Sequence, residues 1–231
     1  MAWLSVIAAA VAPGLALLAY FYLKDRYDSE PVAMVARFFV YGMLLVFPTM
    51  VLQQALADVM GGNPLLFAFG LTGLIEEFVK WFVLYYAIYK HTAFDEPYDG
   101  IVYAVSVSLG FATLENIIYA MIHPFSFSSL MYRAVLPVSG HALFGVLMGY
   151  AIGKAKFDAP AREKRMLAKS LLVPVFWHGL FDYILVQEDT RRIWLIVPVM
   201  LFLWARALWK VNRANARSPF RAVRREEEIK M

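Results

Sequence analysis

Seven apolar stretches, at about 3–23, 32–56, 65–89, 99–122, 130–153, 170–188 and 191–209, take up most of the 231-residue chain. Each is close to the ~20 residues that a helix needs to cross the hydrocarbon core of a bilayer. A backbone surrounded by lipid finds no water to bond with, so such segments must satisfy their own N–H and C=O groups as helices. The expected fold is therefore an all-α membrane protein, a polytopic helical bundle of about seven transmembrane helices. Composition agrees: 61% of residues are hydrophobic, 17% are charged and the mean hydropathy is +0.58. The breaks "KDRYDSEP", "DVMGGNP", "KHTAFDEP" and "HPFSFS" supply charge, proline and glycine, the residues that end regular structure. Only "EDTRR" divides the sixth stretch from the seventh.

The first stretch, "MAWLSVIAAAVAPGLALLAYFYL", lacks a basic start and is followed by Lys24 and Arg26. It reads as a retained span rather than a signal peptide. Residues 1–210 then form one polytopic membrane domain, and 211–231 a basic cytosolic tail. Orientation follows from Lys and Arg, which stay on the cytosolic side. Most of the 22 basic residues fall in the breaks after spans 1, 3 and 5 and in the tail, six of them in "KAKFDAPAREKRMLAK". The N-terminus is expected outside and the C-terminus in the cytosol.

Against this background, "GLIEEFVKWF" at 73–82 is anomalous, because it places Glu76, Glu77 and Lys80 within a span. Ionisable groups in a membrane are costly unless paired or set in a wet cavity, so they mark function by default. Glu115, His141, His178 and Asp182 are embedded in the same way. Counted inward from the outer face at 1.5 Å per residue, Glu77, His141, His178, Glu115 and Asp182 lie roughly 18, 16, 15, 10 and 9 Å deep. Four helices thus bring acids and imidazoles to one layer in the outer half of the bilayer.

Facing agrees with depth. Gly70, Gly73, Glu77 and Lys80 recur on one helical face, and Lys80 is placed to pair with either glutamate. His141 heads a ridge with Gly145, Gly149 and Gly153, small residues that let helices approach closely. Asp182 lies one turn beyond His178, where a carboxylate orients an imidazole or joins it as a ligand. Gly110, Pro137 and Pro174 are the expected points of helix loosening. His91 and His123 sit at loop ends and read as ordinary surface residues.

Three strings carry a resemblance. "EEFVK" (Glu76, Glu77, Lys80), "FATLE" (Phe111, Glu115) and "HGLFD" (His178, Asp182) resemble, in order, the motifs of the PrsW intramembrane protease family; "DEPYDGIVYA" and "HALFGVLMGY" are also similar to it. That family is distantly similar to the CAAX prenyl proteases. The resemblance implies a peptidase of the bacterial cytoplasmic membrane, making the first, outer-side cut in a membrane-bound anti-sigma factor. The partners implied are that membrane-protein substrate and the lipid bilayer, with no nucleic acid.

The catalytic set expected is Glu76, Glu77, His178, Glu115, His141 and Asp182, supported by Lys80 and Phe111. With no cysteine in the chain, thiolate chemistry is excluded. Ser106, Ser108 and Ser139 lack a convincing His-plus-acid neighbour. Two routes through activated water stay open. In one, Glu77 or Glu76 is the general base and the imidazoles stabilise the oxyanion. In the other, His141, His178 and Glu115 hold Zn²⁺ while another glutamate is the base. The balance tips slightly to the metal-free route, and the resemblance does not choose. The rival class is a proton- or ion-coupled transporter, which should show internal repeats; none is found.

Overall fold

The structure, a computed structural model, describes residues 2–60, 62–123, 127–186 and 194–221. Helix α1 (Ala2–Leu23) is followed by α2 (Val32–Met60). A π-helical segment, Leu66–Leu74, runs directly into α3 (Ile75–Ala87). Helix α4 is Asp99–Ile122. Helix α5 (Phe127–Arg133) passes through a second π-helical segment, Ala134–Val138, into α6 (Ser139–Phe157). A short 3-10 turn, Pro160–Arg162, leads to α7 (Glu163–Val186), and α8 is Ile196–Asn215. Among the described residues there is no strand.

Among the described residues each expected span falls largely on helix; 187–188 and 191–193 of the last two, with the break between them, lie outside the described residues. Five helices, Ser5–Leu23, Val32–Met60, Asp99–Ile122, Met131–Phe157 and Pro160–Val186, are long and apolar enough to cross a membrane. The other two are interrupted by charge: Glu76, Glu77 and Lys80 in one, and Arg206, Lys210 and Arg213 in α8. Helix α8 continues past residue 210, burying Val211, Ala214 and Asn215. The tail beyond 221 lies outside the described residues.

Helices α4 and α6 form the centre. Both are apolar on every face, the pattern of a helix enclosed by other helices. They are buried almost throughout. The glycine ridge of α6 seats them together, as its spacing predicts. A Cβ on Gly149 would stand 2.0 Å from the Gly100 carbonyl oxygen, and one on Gly153 would stand 2.4 Å from that of Pro97. Helices α1 and α2 lie outside this pair and present Leu15, Leu44, Phe47 and Val51 outward. An apolar belt of that kind needs lipid or a partner to cover it.

Gly110 departs from expectation. It is not a loosening point but a packing contact, since a Cβ there would lie 1.9 Å from the Phe39 carbonyl oxygen of α2. Pro137 does fall in a π-helical segment, and Pro174 stays buried inside α7.

The segments that the basic residues assign to one side meet at one end of the bundle. Tyr98 Oη donates to the Phe21 carbonyl at 2.8 Å, and Asn215 Nδ2 to that of Lys24 at 3.1 Å. Lys156 Nζ donates to the His91 carbonyl at 3.0 Å, and Arg217 pairs with Asp158 at 3.0 Å. The loops after α1 and α3 and the ends of α6 and α8 are thereby tied together.

Candidate active site

Each half of the site is preceded by an irregular turn. The segment Leu66–Leu74 ends just before Glu76, and Ala134–Val138 ends just before His141. A π turn adds a residue to the helical repeat and rotates the following face, and such turns concentrate at functional sites. The first is set against α7: a Cβ on Gly73 would be 3.0 Å from the Gly179 nitrogen. That close approach brings α3 within reach of His178.

Lys80 lies at the heart of the site, with no exposed surface. Its ammonium donates to Glu77 Oε1 at 2.8 Å and to Glu76 Oε2 at 3.4 Å. It also lies 3.1 Å from His141 Nδ1 and 4.2 Å from the centre of the Phe111 ring. An ammonium has no lone pair, so His141 Nδ1 is the acceptor there. The ring proton is then on Nε2, which faces Glu115 Oε2 at 3.1 Å. His178 is arranged in mirror fashion. Its Nδ1 donates to Glu77 Oε1 at 2.9 Å. Its Nε2 lies 3.4 Å from Asp182 Oδ2 and 3.9 Å from Glu76 Oε2. Phe144 stacks on the His178 ring at 5.0 Å, and the two imidazoles meet edge to face at 5.1 Å.

All seven ionisable residues singled out in the sequence thus converge, together with Phe111. Their access to the surface differs. The side chains of Glu77 and Lys80 are 0% exposed, whereas those of Glu115 and Asp182 are 30% and 20% exposed. The site opens on the side of the two acids reckoned shallowest. None of Ser106, Ser108 and Ser139 is bonded to an imidazole: Ser106 and Ser139 donate to the carbonyls of Val102 and Val135, and the Ser108 hydroxyl is buried without a partner.

Two neighbours have no counterpart in the sequence reading. Gln53 of α2 donates to Glu76 Oε1 and to the Leu71 carbonyl, both at 3.2 Å. Thr72 donates to Asp182 Oδ2 at 2.6 Å. A lone amide or hydroxyl within a span was the available signal, since it too needs a partner there.

One group of donors here could hold a metal, and it shares His141 and His178 with the expected set but has Glu76 where Glu115 was expected. Glu76, His141 and His178 each offer a donor atom within 4.8 Å of the others. Glu115 is not the third donor; it sits on the outer nitrogen of His141. The set fits a catalytic metal on two counts. Two imidazoles and a carboxylate are a known ligand combination for zinc, and each imidazole has a carboxylate that can orient it, although His141 Nδ1 would have to release the Lys80 ammonium to ligate. In addition, Glu77 Oε2 is buried with no hydrogen-bond partner.

Residues 30–207 match the family described as PrsW family intramembrane metalloprotease. The chain belongs to the PrsW family. It is 51% identical over 212 residues to a Protease PrsW of Geobacillus kaustophilus, covering 91% of this chain and 92% of the relative. It is 48% identical over 213 residues to a Protease PrsW of Bacillus subtilis, covering 92% and 96%. A third Protease PrsW, from Clostridioides difficile, is 34% identical over 211 residues, covering 88% and 89%. No solved structure matches the chain. As a PrsW family member, the chain is a peptidase of the membrane.

Outside the spans, two carboxyls in the loop after α1 are strongly perturbed. Burial, and then the charge of Glu96, pushes Asp25 up to about 8. Burial pushes Glu30 up to about 7, against the hydrogen bond that Tyr103 donates to it.

Proposed function

We propose that this PrsW peptidase cleaves a single-span membrane protein, by resemblance an anti-sigma factor, near the outer face of the bacterial cytoplasmic membrane. Its N-terminus is outside and its C-terminus in the cytosol, as the distribution of Lys and Arg favours. Glu76, His141 and His178 hold a divalent metal, of which Zn²⁺ suits the donor set best. Such a metal polarises a carbonyl and acidifies a bound water.

The chain's own groups have separable tasks. Glu77 is the general base. Its Oε1 is held by Lys80 and His178, while Oε2 is free to accept a proton from water. That unpartnered buried oxygen is the observation that carries the reading. Lys80 pairs with both glutamates at depth, and Phe111 lies against its ammonium. Glu115 holds His141 in one tautomer, while Asp182, fixed by Thr72, faces the free nitrogen of His178. The partly exposed side formed by Glu115 and Asp182 admits water and an unwound stretch of substrate, whose carbonyls a regular helix would keep in its own hydrogen bonds.

Metal content and cleavage, measured on the same purified variants, test this division. Glu77→Gln should keep about one metal ion per chain and lose a factor of ~10²–10⁴ in rate, the usual worth of a general base. Glu76→Gln and His178→Ala should lose the metal. Wild-type protein that still cleaves when strictly metal-free would overturn the metal assignment and return the chemistry to the carboxylate route.

A further inference from the structure

At the far end of α4 from the candidate active site, the loop after α1 meets the "DEPYDG" turn. There Asp25, Glu96 and Asp99 each bring a carboxylate oxygen within 4.8 Å of the others. Acids gathered at a surface need no explanation, because water and counter-ions screen them. These are withdrawn from water, with 8, 0 and 0% of their surface exposed.

Their bonding is incomplete. Both oxygens of Asp25, both of Glu96 and Oδ1 of Asp99 are buried and accept no hydrogen bond. Asp99 Oδ2 alone is satisfied, accepting from the N–H groups of Asp95 at 2.8 Å and Glu96 at 2.7 Å. Among the described residues, no ion pair reaches any of the three carboxylates. Lys156, at the same end, gives its ammonium to the His91 carbonyl instead. Two further oxygen groups border the cluster. Glu30 lies beside Asp99, held by Tyr103, and the Ser218 hydroxyl lies beside Glu96.

Buried native polar groups are almost always bonded, and a group that is not points to an ion or a water. A buried charge without a counter-charge is costlier still. Glu96 makes the case, being wholly buried and aimed into the cluster with neither oxygen in a well-formed hydrogen bond, its neighbours there being the Asp25 carboxyl and the Ser218 hydroxyl. The atoms on offer are all oxygen, with no imidazole or thiolate among them. Oxygen-only sites of several carboxylates select hard divalent cations.

We propose that Asp25, Glu96 and Asp99 form a structural site for one hard divalent cation, Mg²⁺ or Ca²⁺, which clamps the loop after α1 to the start of α4. The site is separate from the candidate active site. Asp99 and Glu115 are on the same helix, about 24 Å apart at 1.5 Å per residue. The clamp joins the segments that Tyr98, Asn215 and Arg217 also tie together, so it fixes the end of the bundle opposite the chemistry.

Full-length protein in nanodiscs, stripped with chelator, is titrated with Mg²⁺, Ca²⁺ or Mn²⁺ alone while thermal unfolding is followed. A ligand that binds only the folded state raises its stability by mass action. At least one of these ions should raise the unfolding midpoint by several degrees and saturate, and in the Glu76→Gln variant, which lacks the active-site metal, Mn²⁺ should show about one bound ion per chain by electron paramagnetic resonance. Glu96→Gln and Asp25→Asn should lose the shift, while Glu76→Gln, altered at the other site, keeps it. Each of the first two substitutions removes a buried charge, so the metal-free variants should fold at least as well as the wild type. If no ion gives a saturable shift, or Glu96→Gln shifts as the wild type does, the carboxyls share protons and the proposal is wrong.

Discussion

The chemistry of this chain depends on a lysine without exposed surface. Lys80 pairs with both Glu76 and Glu77 and lies nearer to each than His178, which also reaches both. Removing one partner of a buried ion pair strands the other, at a cost of about 3–5 kcal/mol. Lys80→Met should therefore destabilise the protein by that amount in detergent unfolding, and Glu77→Gln added to it should recover most of the loss. Strict additivity of the two substitutions would show that the pair is not coupled. The pairing was legible in the sequence because i+3 and i+4 neighbours share a helical face. Gln53 and Thr72 were not, because the partner of each lies on another helix. That Glu76, and not Glu115, groups with the two imidazoles was not legible either, because it depends on how far side chains reach across helices.

At the level of elements, the close approach of α4 and α6 sets the frame into which the other helices bring their site residues. Gly149→Ala would drive a Cβ into the Gly100 carbonyl, and overpacking of this kind costs about 1–3 kcal/mol or more. The substitution should lower the unfolding midpoint and displace His141 relative to His178, reducing cleavage without touching a reacting group. Normal stability and activity would contradict the packing. The glycine ridge of α6 was readable because it is periodic. The π-helical segments were not. The first lies where Gly73 meets Gly179, and the second was signalled only by Pro137, because a regular 3.6-residue repeat contains no sign of an extra residue. On the same helix Gly70 meets only the Met60 side chain, so the ridge proposed for it begins at Gly73.

The whole molecule is a bundle with a buried central pair, a lipid-facing exterior and chemistry toward one end. Its helical class was legible because lipid leaves a backbone no alternative to helix, and five of the expected spans fall on helices long and apolar enough to cross a membrane. Orientation rests on charge and can be checked independently. The chain has no cysteine, so single-cysteine variants report cleanly. Asn63→Cys should react with an impermeant maleimide from outside intact cells, and Ala159→Cys only after permeabilisation; the reverse pattern would invert the topology. The central claim is that Glu77 and His178, joined across α3 and α7, perform peptide hydrolysis within the membrane. Cleavage of a single-span substrate in proteoliposomes tests it most directly. The wild type should make the cut, Glu77→Gln should lose a factor of ~10²–10⁴ in rate and His178→Ala should make no detectable cut, with both variants folded. Undiminished cleavage by both would contradict it.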